Sequence, residues 1–308
     1  MSNKSNQIYI PFYTPSIFQG KNKHKIPLKI FQTWKTNTVS SDIADTIEEL
    51  KRMNPEYEYY FFSDQDCKDY FISNYGEKYL QAFNHLKPGA FKADFWRYAV
   101  LAKEGGIYID LDMKLTKPLR EIINPDTDFY VVKDLPDSAI YQAFIAVVPN
   151  HPVLIGSNEE CFNNIMNHKM GDWVSVLSIT GPVMMGKVYS LYYTGSEGSP
   201  IKDYHRNGEI IQMATNTNET VVVGDYPRGG PYPGEVIFRN KIESYKASTQ
   251  YGSMFHLCNV YQGQNRFNCF VKKYYGIFWV ILLIILILVT MKYFYKYRLY
   301  HVNRNSKV

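Results

Sequence analysis

Two aspartates, Asp110 and Asp112, stand one residue apart at the end of the apolar run "GGIYIDLDMKL", residues 105–115. In an extended strand, residues i and i+2 point to the same side, so both carboxylates would face one point. Paired carboxylates suit Mg²⁺ or Mn²⁺, hard cations that also bind phosphate oxygens. Two ordinary solvent-facing residues at a strand end are the alternative interpretation.

A second charged pair, Asp94 and Arg97, lies on the segment 88–104, whose apolar spacing predicts a helix. Residues three apart share one helical face, so the two side chains either pair with each other or reach a ligand together. Gly105 and Gly106 end this helix, and glycine also lets the backbone approach a ligand closely.

Phosphatases of the haloacid dehalogenase kind also place D-x-D at a strand end, where the first aspartate is the nucleophile. Their motif has Thr or Val two residues after the second aspartate. Lys114 stands there in this chain, which argues against that chemistry.

Helices and strands are predicted to alternate up to about residue 225, a pattern typical of an α/β sheet. Capping residues, apolar periodicity and glycine or proline stops place the helices and strands. The predicted helices are 40–55, 64–83, 88–104 and 151–166, and the predicted strands are 24–36, 57–63, 107–112, 129–134 and 143–149.

The charge of the chain is unevenly distributed. Its 308 residues carry a formal net charge of +5, but nine Lys and Arg residues and no acidic residue follow Glu243, so residues 1–243 carry −4. A nucleic-acid-binding domain needs a basic face, so this distribution argues against a nucleic-acid partner.

The four cysteines form no C-x-x-C or zinc-like set, which favours buried or free thiols and leaves a Cys258–Cys269 disulfide open.

Residues 274–293 predict a single transmembrane helix near the C-terminus. The run from Gly276 to Met291 carries no charge, and tyrosines, Trp279 and lysines flank it as they flank spans at the membrane interface. A buried core helix is the alternative. Basic residues are more numerous after the span, which favours a cytosolic tail, whereas the N-terminus lacks a signal-peptide-like apolar run. The side of the membrane stays open.

Four stretches together resemble glycosyltransferase family 32, the DXD sugar transferases. They are "IPLKIFQTWKT", "NPEYEYYFFSD", "KADFWRYAVLAKEGGIYIDLDMKLTKPL" and "ITGPVMMG". The family includes inositol phosphorylceramide mannosyltransferases and α-1,4-sugar transferases. The resemblance covers roughly residues 24–190, with weaker traces to about 260, and the third stretch is the most specific.

This resemblance implies a GT-A-like fold: a mixed sheet flanked by helices that binds a nucleotide sugar. It also implies Mn²⁺ (or Mg²⁺) as cofactor. By the resemblance, Asp110 and Asp112 hold the metal and the donor's diphosphate and ribose, with Asp110 also assigned to donor binding. Asp94 and Arg97 reach the donor sugar and phosphate, and Trp34 lies near the base. The glycines 105 and 106 are assigned to donor binding.

Two positions depart from the family pattern, and one further stretch matches it. The family usually has His where this chain has Phe31. His256 precedes no Gly-Ser-Trp-like stretch, and it is assigned as a further metal ligand or as a structural histidine. Thr180 and the two residues after it match a family signature that is assigned to the acceptor side.

The predicted enzyme is therefore a membrane-anchored hexosyltransferase. It moves a sugar from a nucleotide-sugar donor to a glycan or glycolipid acceptor with retention of configuration. An inactive relative acting as a carbohydrate-binding or scaffold protein is the alternative, and a hydrolase without an acceptor is a third reading. The predicted organisation is an extension (1–23), the catalytic domain (24–258), a linker (259–273), the transmembrane helix (274–293) and a basic tail (294–308).

Overall fold

The computed structural model describes residues 7–17, 23–134, 138–170, 176–197, 211–216, 219–224, 235–240, 260–263 and 279–295. The strands are β1 (Gln7–Tyr9), β2 (Tyr13–Thr14), β3 (Lys29–Thr33), β4 (Thr38–Ser40), β5 (Glu58–Phe62), β6 (Gly106–Ile109), β7 (Met113–Leu115), β8 (Phe129–Lys133), β9 (Ile140–Val147), β10 (Ile211–Asn216), β11 (Glu219–Gly224) and β12 (Glu235–Asn240). The helices are α1 (Ser41–Met53), α2 (Asp64–Asn74), α3 (Glu77–His85), α4 (Gly89–Glu104), α5 (Leu119–Ile122), α6 (Pro152–Met166) and α7 (Pro182–Thr194), with a 3₁₀ turn at Val176–Ser178.

Ten of these strands form one mixed sheet in the order β2-β5-β3-β6-β9-β8-β10-β11-β12-β7. Strand β3 pairs in parallel with both β5 and β6, whereas β6 pairs antiparallel with β9. The predicted α/β architecture, a mixed sheet flanked by helices, is confirmed.

Apolar residues fill both faces of the sheet. Along β3 and β6 the side chains alternate: Phe31 and Tyr108 join one buried cluster, while Ile30 and Ile107 join the other. The first cluster packs the sheet against α2, α3, α4, α6 and α7, and the second packs it against α1 and α5. This period-two alternation is what a sheet covered by helices on both sides requires.

Helix α4 is the most buried of the described helices that flank the site. Ten of its residues are buried, including Phe91, Phe95 and Trp96, and they surround the helix rather than lining one stripe. A helix that is apolar all round belongs inside a protein. Asp94 and Arg97 therefore lie in the interior and not on a solvent-facing helix surface.

Two predicted elements differ in extent from the observed ones. The predicted helix 64–83 is two helices, because Gly76 adopts φ +84° between α2 and α3, a conformation that ends a right-handed helix. The predicted strand 107–112 ends at Ile109. Asp110 to Asp112 form a turn before β7, with the Met113 amide donating to the Asp110 carbonyl at 3.1 Å.

The described residues include parts of the predicted linker and of the predicted transmembrane helix. Val260 and Tyr261 are fully buried, and Tyr261 pairs with Leu86 in a β-bridge, so these two residues of the predicted linker pack within the domain. Residues 279–295 form a helix with exposed apolar side chains. Within the described part of the chain, no helix combines the length and apolar character needed to cross a membrane. The first residues of the predicted span, 274–278, lie outside the described residues.

Two of the four cysteines lie in the described residues. Cys67 and Cys161 are both buried and free, as the sequence favours, and burial raises the pKa of both thiols. Cys258 and Cys269 lie outside the described residues.

His151 makes the stability of the fold pH-dependent. Its Nδ1 accepts the Val153 amide at the start of α6, its ring stacks on Phe129 at 4.3 Å, and burial lowers its pKa from 6.5 to about 4. Protonation would remove the acceptor and charge a buried ring. We expect the stabilisation to be complete above pH 6.5 and to be lost as pH falls from 6.5 to about 4. Melting temperatures measured across this range by circular dichroism test the expectation.

The control is His151→Asn, because asparagine also caps helices but does not titrate. The difference in melting temperature between wild type and this variant should change with pH over that window. A constant difference would contradict the role of His151, since carboxylates titrate in both proteins alike.

Candidate functional site

The site lies where three parallel strands end. β3, β5 and β6 have their carboxyl ends at one edge of the sheet, and these ends lead into Trp34, Ser63 and Asp110. The Trp34 amide donates to the Phe62 carbonyl at 3.0 Å, which ties two of the strand ends together. Ligands of α/β sheets bind outside the carboxyl ends of strands, so this edge is the candidate site.

The turn that carries the two aspartates is fixed by its backbone. The Asp110 amide donates to the Ala143 carbonyl of β9 at 2.9 Å. On the other side, the Gln32 side chain donates to the carbonyls of Ile109 at 3.1 Å and Asp110 at 3.3 Å. Gln32 is itself held by the Tyr59 hydroxyl, which donates to its Oε1 at 2.7 Å. Strands on both sides therefore position the Asp110 backbone.

Two buried residues, Arg97 and Tyr108, contact the side chain of Asp110. The Tyr108 hydroxyl donates to Asp110 Oδ1 at 2.7 Å, and Arg97 Nη2 lies 3.3 Å from the same oxygen. Arg97 also donates to the Tyr108 hydroxyl at 3.2 Å and to the Gln142 carbonyl at 2.7 Å. Its guanidinium lies over the Tyr108 ring, 4.2 Å from the centroid. One oxygen of Asp110 is thereby fixed, while 35% of the side chain stays exposed.

Asp94 lies on α4 three residues before Arg97 and is fully buried. Its Oδ1 is 3.5 Å from Arg97 Nη2, and its Oδ2 accepts from the Thr180 hydroxyl at 2.7 Å. The Tyr98 hydroxyl donates to the Thr180 carbonyl at 2.7 Å and accepts from the Gln142 amide. Buried charges persist only when they are paired and hydrogen-bonded, and this chain of contacts supplies both conditions.

Burial keeps the two tyrosines of this network protonated. It raises the pKa of Tyr108, with Arg97 opposing and Asp110 reinforcing the shift. Burial likewise raises the pKa of Tyr98, where Asp94 adds to the effect. Both phenols therefore act as hydrogen-bond donors at any physiological pH.

The glycines predicted to bind the donor lie at the other end of β6. Gly105 and Gly106 have φ +61° and +95°. A Cβ on Gly105 would lie 2.6 Å from Pro149, and one on Gly106 would lie 2.8 Å from the Lys29 carbonyl. Backbone conformation and close protein packing thus account for both glycines. Asp110 comes four residues after Gly106, about 13 Å away at the usual strand rise.

Three other residues singled out in the sequence have different surroundings. Trp34 is half-buried and packs on the second cluster, at the same edge as Asp110. Phe31 is buried, stacks on Tyr60 with centroids 5.2 Å apart, and packs on Trp96, so apolar packing accounts for it. His256 lies outside the described residues.

The paired aspartates fit a divalent cation as partial ligands. Both are hard oxygen donors on one turn, and among the described residues no group of three or more His, Cys, Asp or Glu side chains could hold a metal. Mg²⁺-type ions are commonly bound by one or two carboxylates together with substrate phosphates. Two aspartates therefore suffice if a diphosphate supplies the remaining ligands.

Sequence reasoning missed three residues of the site: Gln32, Tyr108 and Gln142. Gln32 and Tyr108 lie within stretches that carry the family resemblance, but their types gave no chemical signal by themselves. Gln142 lies on β9, 45 residues after Arg97 in the sequence, and its carbonyl accepts a hydrogen bond from Arg97. The Thr180 hydroxyl contacts Asp94, while its assignment to the acceptor side stays a prediction.

The segment that carries the candidate site is similar in sequence to known proteins. Residues 40–130 match a sequence family described as a glycosyltransferase sugar-binding region containing a DXD motif. Inositol phosphoceramide mannosyltransferase 3 of Schizosaccharomyces pombe is 26% identical over 180 residues, covering 58% of this chain and 49% of that protein. An uncharacterised glycosyltransferase of Acanthamoeba polyphaga mimivirus is 30% identical over 132 residues, covering 42% of this chain and 52% of that protein.

A solved structure, the PaToxG glycosyltransferase, matches with a TM-score of 0.44 and 18% identity over 55% of this chain and 70% of that chain. The chain spans about half the length of the curated relatives it matches. The resemblance to the DXD sugar transferases that the sequence predicts is confirmed, and glycosyltransferase is the class of enzyme it indicates.

The contact between Thr180 and Asp94 gives a test of the buried network. In Thr180→Val the shape is kept, but Asp94 loses a donor in a fully buried environment. We expect the free energy of unfolding to fall by about 1.5–3 kcal/mol, the range for hydrogen bonds to charged groups. Thr180→Ser keeps the hydroxyl and should lose much less. Urea denaturation of the two variants measures the difference, and equal stabilities would show that the hydroxyl contributes nothing.

Proposed function

We propose that this chain is a glycosyltransferase that moves a sugar from a nucleotide-sugar donor to a glycan or glycolipid acceptor with the help of a divalent cation. The observation that carries the proposal is the connection from Asp94 through Arg97 to Asp110 at the carboxyl edge of the sheet. A buried arginine that reaches the exposed D-x-D turn is costly to maintain for structure alone. A donor diphosphate bound at that turn would give the buried arginine a function.

Arg97 contributes fixed positive charge. Its guanidinium is oriented by Gln142, Tyr108 and two carboxylates, so it needs little reorganisation when negative charge develops on a leaving diphosphate. Cleavage of the bond between sugar and diphosphate creates that charge. Preorganised charge of this kind supplies much of the barrier reduction in many enzymes.

Asp110 and Asp112 would hold the cation. Tyr108 and Arg97 both contact Oδ1 of Asp110, which fixes this oxygen and would leave the other for a metal. The cation, when bound, acts as a Lewis acid that stabilises the diphosphate leaving group. Mn²⁺ is the first choice and Mg²⁺ the second, as the family resemblance implies.

The remaining parts of the donor site are assigned by position. Trp34 follows β3 at the same edge as Asp110, where its ring would contact the nucleotide base. Asp94 acts through Arg97 and Thr180, because its carboxylate is fully buried. The names of the relatives make mannose the first sugar to test and an inositol phosphoceramide the first acceptor. Retention of anomeric configuration is part of the proposal, and NMR of the product tests it.

The central experiment uses the full chain in detergent with Mn²⁺ and a panel of nucleotide sugars, and it scores nucleotide release with and without acceptor. Asp112→Asn should lower kcat/KM by at least about a hundredfold, because the cation loses a charged ligand where charge develops. The melting temperature should hardly change. Asp126→Asn, a change of the same type at an exposed position, should retain full activity.

Each other outcome has a defined meaning. Turnover at the wild-type rate in Asp112→Asn would show that Asp112 is not a metal ligand. Nucleotide release that does not depend on acceptor would identify a hydrolase. Release from none of the donors would favour the inactive carbohydrate-binding relative.

We further propose that residues 274–293 anchor the chain in a membrane. The support is the charge-free apolar sequence of residues 276–291 and the exposure of the apolar side chains in residues 279–295. The full chain should remain with the membrane fraction after carbonate extraction, and a variant lacking 274–293 should be released. Replacement of Leu282, Ile285, Leu288 and Met291 by lysine in the full chain should release the protein as completely as the deletion does. Retention of both variants would contradict the anchor.

A further inference from the structure

One short segment of the domain exposes a concentration of apolar side chains. Ten large apolar side chains are exposed in the described residues that precede Trp279, and five of these ten lie within residues 8–17. The five are Ile8, Tyr9, Phe12, Tyr13 and Ile17, which we call the N-terminal apolar strip. Exposed apolar residues that are scattered singly are normal, whereas a concentrated set marks an interaction surface.

The backbone of the strip is fixed to the domain. The Ile10 amide donates to the Asn37 carbonyl at 2.8 Å, and the buried side chain of Ile10 joins the second cluster. The Phe61 amide of β5 donates to the Phe12 carbonyl at 2.8 Å. β2 then pairs with β5, so the strip lies at one end of the ten-stranded sheet. The exposed side chains therefore face solvent from an ordered backbone.

The composition of the strip favours a lipid surface over another protein strand. Residues 5–20 include no charged residue, and the strip combines aliphatic side chains with two tyrosines, whose apolar rings and polar hydroxyls suit a membrane interface. Pro11 and Pro15 flank the two-residue strand β2 and have no amide proton to donate. A strand from a second copy could therefore pair with this edge over only a short length.

The charges beside the strip do not select an anionic surface. The adjoining face of α1 carries both signs of charge, from Asp45, Glu48, Glu49, Lys51 and Arg52. Apolar contact and not charge attraction must therefore supply the binding. A bilayer with zwitterionic headgroups, such as phosphatidylcholine, meets this condition.

Residues 260–263 precede the proposed anchor, and short contacts connect them to one end of the strip. The Lys87 amide, just before α4, donates to the Val260 carbonyl at 2.9 Å. In the first turn of α4, Lys92 donates to Asp64, directly after β5, at 2.7 Å. The Phe12 ring lies against the ring of the last residue of β5, with centroids 4.8 Å apart. The chain thus continues toward the anchor from a point near the strip.

The length of chain before the anchor limits how far the domain can move. Trp279 follows Gly263 by 16 residues. A chain of that length spans at most about 58 Å when fully extended. An anchored chain would therefore keep the strip within reach of the bilayer surface.

We propose that the N-terminal apolar strip docks the domain on the headgroup region of the bilayer that holds the proposed anchor. Apolar side chains that leave water at the interface stabilise the docked state in proportion to the apolar area they bury. The anchor makes docking an intramolecular event, which raises its effective concentration. A docked domain keeps one orientation to the membrane instead of rotating on its linker. The inference rests on the membrane anchor of the proposed function and is independent of the transfer reaction.

The test maps which residues contact lipid. The full chain is reconstituted into phosphatidylcholine vesicles that contain a small fraction of phosphatidylcholine with a diazirine near the carbonyl end of one acyl chain. After photolysis and digestion with trypsin, mass spectrometry measures the labelling of peptide 5–21, which carries the strip. Peptide 188–202, which carries the exposed Leu191, Tyr192 and Tyr193, is the internal reference. We expect strong labelling of the first peptide and background labelling of the second.

Tyr9→Ser combined with Ile17→Ser is the diagnostic variant, because these side chains are 65% and 79% exposed, the most of the strip. Labelling of peptide 5–21 should fall roughly tenfold or more, because the docked state loses two large apolar groups. The other strip residues remain available to react. Leu191→Ser combined with Tyr192→Ser is the matched control, and it should leave this labelling unchanged. Both variants should keep the wild-type melting temperature, since all four side chains are exposed.

Several outcomes would overturn the docking surface. Equal labelling of the two peptides in the wild type would do so, as would unchanged labelling of peptide 5–21 in the diagnostic variant. A wild type that is dimeric in detergent by light scattering, with a monomeric diagnostic variant, would assign the strip to contact between copies.

Labelling of residues 279–295 in the same sample reports the anchor separately. Labelled anchor residues with an unlabelled peptide 5–21 would refute the docking surface and support the anchor. A labelled peptide 5–21 with unlabelled anchor residues would refute the anchor and support the docking surface. Neither result depends on a nucleotide sugar or an acceptor, so failure of the transfer assay leaves both readings intact.

Discussion

The burial of one guanidinium group determines how the candidate site is built. Arg97 is 4% exposed, and a charge in such a place must find acceptors within reach of its planar donors. Those acceptors come from its own helix, from β6, from β9 and from the aspartate turn. Each of these elements must be in position for the others to be stable, so the network couples the folding of the domain to the shape of the site.

The aspartate turn shows how such coupling sets function. Because the chain leaves the strand at Ile109, the two carboxylates are placed by a turn and not by the pleat of a strand. Gln32 and Ala143 hold the turn from two neighbouring strands, and Arg97 and Tyr108 orient Asp110. The residue that would bind a cation is thus rigid before any ligand arrives, which is the condition for preorganised electrostatics.

The two ends of β6 serve different purposes. At its start, Gly105 and Gly106 fit beside Pro149 and Lys29 where no side chain has space. At its end, the chain leads into the polar residues of the aspartate turn at the sheet edge.

The sequence by itself determined the fold class and the residues of the aspartate turn. Apolar alternation marked β3, a β-rich run marked β5, and helical spacing marked α1 and α4. The spacing of Asp94, Arg97 and D-x-D indicated the family. All these signals are local in the chain. Tertiary structure alone decided which helix is interior, that the D-x-D is a turn, and that Gln32, Tyr108 and Gln142 join the site. These facts depend on contacts between residues far apart in sequence, such as Gln142 and Arg97, and a hydrogen bond across the fold leaves no periodic trace in either segment.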